Sequence, residues 1–282
     1  MVFGCAMASE HPRRKRTRPF LVVLSFHRVA MRNSRVVGLP PVPPERFRRY
    51  LRWIARSGRA PIGPREWLSS IRTGRLEPKH PVLITFDDAD AEIAQSALPA
   101  LAEMRFPAVV FVPTDAVGGS NKWDRVHGFT QMPIMDEKAI ALWSRRGIVF
   151  GSHGASHVDM TSLPRDVLVA LLERSARRLR EITGETPVAI SYPYGSVNDQ
   201  VRTEAGRIFP LGFTMRSGLN GLSGDPMTLR RVEAPSAASW LRFRFILAFG
   251  VDPVFYVRDT VRPRLWLRKL ATRMGLDSAA GK

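Results

Sequence analysis

The sequence predicts an α/β fold built on a parallel sheet, and three observations carry that reading. Short apolar runs of strand length alternate with longer amphipathic segments. The apolar runs are continuous rather than alternating with polar residues, as in strands covered on both faces. With 282 residues and 44% hydrophobic side chains, the chain can bury the core of a single α/β barrel. On these grounds a closed barrel and an open doubly wound sheet both remain admissible.

The elements follow in order. Phe20–Phe26 reads as the first strand. Pro44–Ser57 places Phe47, Leu51 and Ile54 at helical spacing, with Gly58 as a stop signal. Val82–Phe86 is the next strand, and a helix follows over Ala91–Met104, where Pro99 should kink it or start a new turn. Ala108–Val112 is a strand that opens into a loop of glycine and polar residues, Pro113–Met135. Ile148–Phe150 is a short strand. Pro164–Thr183 carries Val167, Leu168, Leu171, Leu172, Leu179 and Ile182 on one helical face and closes at Gly184. Val188–Ser191 and Gly212–Met215 are strands on either side of a helix over Asn198–Ile208.

The end of the chain differs in character. Trp240–Val257 is aromatic and apolar, and Arg258–Leu276 interleaves arginines with Leu265, Trp266, Leu267 and Leu270. Such a basic amphipathic helix either packs on its own domain or lies on an anionic membrane.

The formal charge is +18, from 43 basic and 25 acidic residues, and only six of the basic residues are lysine. An arginine-rich solvated surface accounts for this. So does attraction to an anionic partner such as a membrane surface or a phosphate-bearing glycolipid. No zinc-finger, helix-turn-helix or aromatic RNA-binding signature is present, so no nucleic acid partner is expected. Cys5 stands alone, which excludes an intrachain disulfide framework. Met1–Ala8 is short, the basic cluster Arg13–Arg18 follows it, and Phe20–Phe26 is too short for a signal-peptide core or a membrane span. The expected location is cytoplasmic, with peripheral contact at the inner membrane face through Arg258–Leu276.

Chemistry in parallel α/β sheets gathers at the carboxyl ends of the strands. There the sequence places His27 after the first strand, Asp87 and Asp88 after Val82–Phe86, His153 and His157 after Ile148–Phe150, and Tyr192-Pro193-Tyr194-Gly195 after Val188–Ser191. His153 and His157 share a side on a helix or on an extended segment. With one carboxylate they make a three-ligand set for zinc or iron, although two loop histidines bonded to backbone have the same spacing. Adjacent aspartates can cap the helix that follows, or one can hold a metal while the other stays free as a base.

Leu83-Ile84-Thr85-Phe86-Asp87-Asp88 resembles the Thr-Phe-Asp-Asp-Gly signature of polysaccharide deacetylases, carbohydrate esterase family four. Ser152-His153-Gly154-Ala155-Ser156-His157 resembles that family's His-Ser/Thr-x-x-His region, and Ser25-Phe26-His27-Arg28-Val29 the Tyr-His-x-Val segment of one branch. Ser191-Tyr192-Pro193-Tyr194-Gly195 is similar to the Pro-Tyr-Gly turn, and Leu229-Arg230-Arg231-Val232 to a late strand. The resemblance runs from about Pro19 to Val232.

It implies an irregular (β/α) barrel of about seven parallel strands over 19–235, with a basic tail at 1–18 and an aromatic and basic extension at 236–282. It further implies a divalent metal, zinc before iron, cobalt or nickel, on Asp88, His153 and His157. Asp87 would act as general base, His27 as general acid, and the backbone N–H of Tyr194 would hold the oxyanion. The implied activity is removal of an N-acetyl group from an amino sugar in a polysaccharide, oligosaccharide or lipid-linked glycan.

The departures are specific. Ala89 stands where the family has glycine, and Asp90 adds a third carboxylate. The arginine before the Pro-Tyr turn is missing, and so is a late Leu-x-His motif. His11, His80 and His127 read as exposed loop histidines. Ala89 supports an alternative, a catalytically degenerate barrel that binds a carbohydrate or glycolipid without turnover.

Overall fold

The computed structural model describes residues 20–254 apart from 34, 35, 39 and 77, so the Arg258–Leu276 segment lies outside the described residues. Seven parallel strands form the wall: β1 (Val22–Phe26), β3 (Pro81–Phe86), β4 (Ala108–Val112), β5 (Val149–Ser152), β6 (Ala189–Ser191), β7 (Leu211–Phe213) and β8 (Val232–Glu233). A two-residue strand, β2 (Ala60–Pro61), lies beside β3. The order around the wall is β7-β6-β5-β4-β3-β1-β8.

One continuous segment closes the circle. Leu229 exchanges backbone hydrogen bonds with the β7 region, donating to Gly212 O (2.8 Å) and accepting from Thr214 N (2.9 Å). Three residues later Val232 pairs with Leu24 of β1. The fold is therefore the irregular barrel that the resemblance implies, not an open sheet.

Strand pleating sorts the side chains into two layers. Val22, Leu24, Phe26, Val82, Ile84, Phe86 and Val110 face helices α1 (Pro44–Arg56), α3 (Ile93–Met104) and α4 (Glu137–Arg145). Their neighbours Val23, Leu83, Val109, Phe111, Ala189 and Phe213 fill the barrel interior. Along this inner face the residue type changes near the carboxyl ends. Val23 is followed by Ser25, Leu83 by Thr85 and Asp87, and Ala189 by Ser191, all of them buried. Polar side chains thus collect at one end of an otherwise apolar barrel.

Several elements depart from the sequence expectation. α2 (Pro64–Thr73) and α4 are additional helices whose amphipathic pattern is short. α3 runs through Pro99 without a break, so the proline removes one backbone donor but does not end the helix. On α5 (Arg165–Thr183), Leu168, Leu171, Leu172 and Leu179 are buried, whereas Val167 is 46% exposed. Val167 lies in the first turn, on the flank of the stripe rather than its centre. The expected helix over Asn198–Ile208 is α6 (Asp199–Gly206), capped by the Asn198 side chain. α7 (Trp240–Phe249) packs on α1, with Tyr50 and Phe243 stacked at 4.4 Å.

Candidate active site

The turn after β3 carries both aspartates. Asp87 N–H donates to Phe26 O (2.9 Å), so Asp87 continues the interior column. Asp88 (φ 66°) and Ala89 (φ 53°) then take left-handed backbone conformations. This is the conformation that glycine provides elsewhere in the family pattern, and alanine holds it at a cost of ~1–2 kcal/mol. Ala89 O accepts from Met135 N (2.9 Å) and its methyl is fully buried, which holds the turn in place.

The expected effect of Ala89→Gly is therefore close to zero. Relief of ~1–2 kcal/mol of strain offsets a lost buried methyl and a freer unfolded chain, together of similar size. Ala89→Val should instead cost more than ~2 kcal/mol, because a β-branched side chain tolerates neither the φ nor the space. Denaturant unfolding of both variants measures the difference.

Asp90 also lines the cavity, but its carboxylate is engaged by its own neighbours. It accepts from Glu92 N–H (2.8 Å) at the start of α3 and pairs with Arg28 Nε (3.0 Å). Asp90, rather than Asp87 or Asp88, thus accepts from the backbone at the start of α3.

The loop after β5 presents the two histidines. His153 N–H donates to Val112 O (2.9 Å), and Gly154 turns the chain at φ 78°. A Cβ at Gly154 would sit 2.7 Å from Met160 and 2.9 Å from Ser156 O, so the turn requires glycine. Two further hydrogen bonds, Thr114 N to Gly154 O and Asp115 N to Ala155 O, fix the loop to the end of β4.

Asp88, His153 and His157 meet, with one potential ligand atom from each lying within 4.8 Å of the others. His153 Nε2 and His157 Nε2 are both 3.4 Å from Asp88 Oδ1. His153 Nδ1 is 2.7 Å from Ser191 O, a carbonyl that can only accept, so Nδ1 carries the proton and neutral His153 turns its Nε2 lone pair toward Asp88. Asp88 Oδ1 is buried without a hydrogen-bond partner. Lone pairs from three side chains thus converge on one point, and this donor set fits a divalent cation.

The electrostatics of the metal-free site favour a proton on His153 and a free lone pair on His157. Burial opposes charge on His153, but the Asp88 carboxylate beside its Nε2 and the charge of Asp87 outweigh it and raise its pKa. Burial, reinforced by neighbouring His153, pushes His157 down to about 4, which keeps its lone pair free at neutral pH. Burial would raise the Asp88 carboxyl; the histidines reverse this and lower it. A proton and a metal ion compete for the same position.

Asp87 has a partner that the sequence did not announce. Arg231, fully buried, meets it with two parallel bonds, Nη1 to Oδ1 and Nη2 to Oδ2, each 2.8 Å. Arg231 also donates to Thr214 O (2.9 Å) and to Ser191 Oγ (2.8 Å). Burial alone would raise the Asp87 carboxyl, but the guanidinium outweighs it and holds Asp87 well below the usual carboxylate range. The guanidinium missing beside the Pro-Tyr turn thus reaches Ser191 from residue 231.

The remaining predicted residues line the same cavity of about 690 Å³. His27 lies at the end of β1 with Nδ1 3.7 Å from Glu233 Oε1. Tyr194 sits in the turn after β6 at φ 59°, its ring edge-on to His157 at 4.8 Å. Trp123, from the loop between β4 and α4, stacks on the other side of His157 at 4.5 Å. His127 reaches the cavity rim but remains exposed, and His80 is exposed away from it.

Comparison with known proteins agrees with this geometry. A family model described as polysaccharide deacetylase matches residues 75–208, the stretch holding both aspartates, both histidines and the Pro-Tyr turn. The chain is 22% identical over 224 residues to YxkH of Bacillus subtilis, covering 79% of this chain and 74% of that protein. It is 24% identical over 192 residues to the poly-beta-1,6-N-acetyl-D-glucosamine N-deacetylase of Staphylococcus aureus, covering 63% of this chain and 66% of the relative. The fold is shared with the Streptococcus pyogenes deacetylase PplD, solved in complex with acetate (TM-score 0.72, 21% identity, 82% of this chain and 99% of that one). It is shared also with IcaB from Ammonifex degensii (TM-score 0.68, 22% identity, 82% and 96%). On these grounds residues 75–208 are similar to the polysaccharide deacetylase family, and the described barrel shares its fold with solved deacetylases.

Proposed function

We propose that this protein removes an N-acetyl group from an amino sugar, and that Asp88, His153 and His157 hold the divalent metal the reaction needs. The observation that carries the reading is the convergence of these three side chains, from two strands, on one point beside Asp87 and His27 in a single cavity. Zinc suits two imidazoles and a carboxylate, and iron, cobalt and nickel are compatible. A divalent cation bound there supplies Lewis acidity, polarising the acetyl carbonyl and making water acidic enough to attack near neutral pH.

The chain's own groups do the rest. Asp87, ionised and fixed by Arg231, accepts the proton of the attacking water. The Tyr194 backbone N–H donates to the carbonyl oxygen as negative charge develops on it, an interaction typically worth ~3–4 kcal/mol in such sites. His27 gives a proton to the amide nitrogen as the C–N bond breaks, releasing acetate and a free amino sugar. Trp123 and Tyr194 flank His157 and offer aromatic faces to a sugar ring.

The substrate is an N-acetylated glycan, lipid-linked where the enzyme meets a membrane. The degenerate, non-catalytic reading rests on Ala89, yet with Ala89 in its strained turn both aspartates still line the cavity.

The test is acetate release from N-acetylglucosamine oligomers. His27→Ala should lower turnover by about 10²–10⁴-fold, the usual contribution of a general acid, while metal content stays at the wild-type value. Full turnover in that variant would remove His27 from the mechanism.

A further inference from the structure

We propose that the outer face of α7, with the arginine row of α1 beside it, is a docking surface for an anionic lipid bilayer. The face is independent of the deacetylase reading; only the statement below about substrate access rests on that reading.

α7 is apolar on both sides. Phe243, Ile246 and Leu247 point into the core. Leu241, Phe245 and Phe249, at four-residue intervals, form a second stripe on the opposite side. They are 75%, 39% and 55% exposed, and the rings of Phe245 and Phe249 are 4.5 Å apart. Just beyond the helix Val254 is 53% exposed. Large apolar side chains gathered this way mark an interaction surface rather than scattered exposure.

The charges beside the stripe indicate the partner. α1 runs alongside α7, with Trp53 and Trp240 in contact at 5.3 Å. On the solvent side of that contact α1 exposes Arg49, Arg52 and Arg56, spaced three and four residues apart. Arg244 on α7 lies over the Trp240 ring. Among the described residues none of these four arginines has an ion-pair or hydrogen-bond partner. Glu45 is the acid on that side of α1.

An anionic bilayer uses both features, the stripe entering the acyl boundary and the arginines meeting lipid phosphates. A second copy would bring arginines of the same sign onto this row, in a chain of formal charge +18. Residues 255–282 carry seven basic and two acidic side chains, so they do not complement the row either. A nucleic acid would engage the arginines and leave Leu241, Phe245 and Phe249 in water.

On its other flank α7 borders the cavity. Arg242, paired with Asp252 at 2.6 Å, lines the cavity together with Ser236 and Ala237. A bilayer on the outer face would therefore lie next to the cavity rim, and an amino sugar carried on a membrane lipid could reach the site without leaving the membrane.

The test uses the full chain and sedimentation with vesicles of phosphatidylglycerol and phosphatidylcholine, against vesicles of phosphatidylcholine alone. Wild type should sediment with the anionic vesicles and lose binding as salt rises. F245S/F249S should weaken partition by at least about tenfold through lost apolar burial. R49Q/R52Q/R56Q should weaken it by a similar factor and flatten the salt dependence. Both variants should release acetate from a water-soluble oligosaccharide at the wild-type rate and keep the wild-type melting temperature.

Absence of wild-type binding, or equal binding by F245S/F249S, would overturn the proposal. So would a dimer that F245S/F249S dissociates, which would make the occupant a second copy. Increased proteolysis within 255–282 in F245S/F249S, with vesicle binding unchanged, would instead assign the face to the chain's own end. If wild type releases no acetate yet partitions as stated, the deacetylase reading fails and the docking face stands.

Discussion

Asp88→Ala is expected to empty the metal site and to lower acetate release by about 10³-fold or more, and His153→Ala should do the same. The magnitude follows from the chemistry. One ligand of three is lost, and with it the several kcal/mol by which a bound cation stabilises developing charge, each 1.36 kcal/mol being tenfold in rate. Stability of the metal-free protein should fall modestly as well. The two histidines hold the Asp88 carboxyl below its ordinary value, so its ionised form favours the fold at neutral pH and the variant loses that contribution. Metal analysis of purified protein, acetate assay and denaturant unfolding in chelator check the three parts. Metal content unaffected by both substitutions would defeat the assignment.

Arg231→Met should be the most destabilising single substitution among the site residues. It strands Asp87, an almost fully buried carboxylate, without the guanidinium that neutralises it. Breaking such a pair from one side costs ~3–5 kcal/mol. For a chain of this size that corresponds to a fall in melting temperature of roughly 10 °C or more. Turnover should fall as well, because Asp87 would lose its fixed orientation and, with its pKa rising, its charge. The double variant Arg231→Met/Asp87→Asn distinguishes this from ordinary loss of packing. It should recover much of the stability and none of the activity, and a double variant no more stable than Arg231→Met would contradict the argument.

Much of this was legible in the sequence because the signals are local. Apolar runs such as Leu83–Phe86 fix strands, and strand ends fix where Asp87, Asp88, His153 and His157 emerge. Arg231 was not legible. In a chain with 43 basic residues, one more arginine beside Arg230 offers no contrast, and only closure of the barrel shows which of the two turns inward. Glu233 and Trp123 escaped for similar reasons, the first on a two-residue strand and the second inside a long loop. Val167 was misplaced because a helix's first turn can carry an apolar residue on the edge of its stripe. The short helices α2 and α4 have too few residues for their periodicity to stand out.

The segment 229–233 joins β7 to β1 and delivers Arg231 as it does so. The keystone of the architecture and the counter-ion of the proposed base are therefore the same few residues. A chain folded only as far as β7 would be an open trough whose acid faces water, and docking of 229–233 would bring a guanidinium onto it. Catalytic competence should then appear in refolding only once 229–233 has docked on β1. A ligand that grips the finished site should likewise hold β8 against β1.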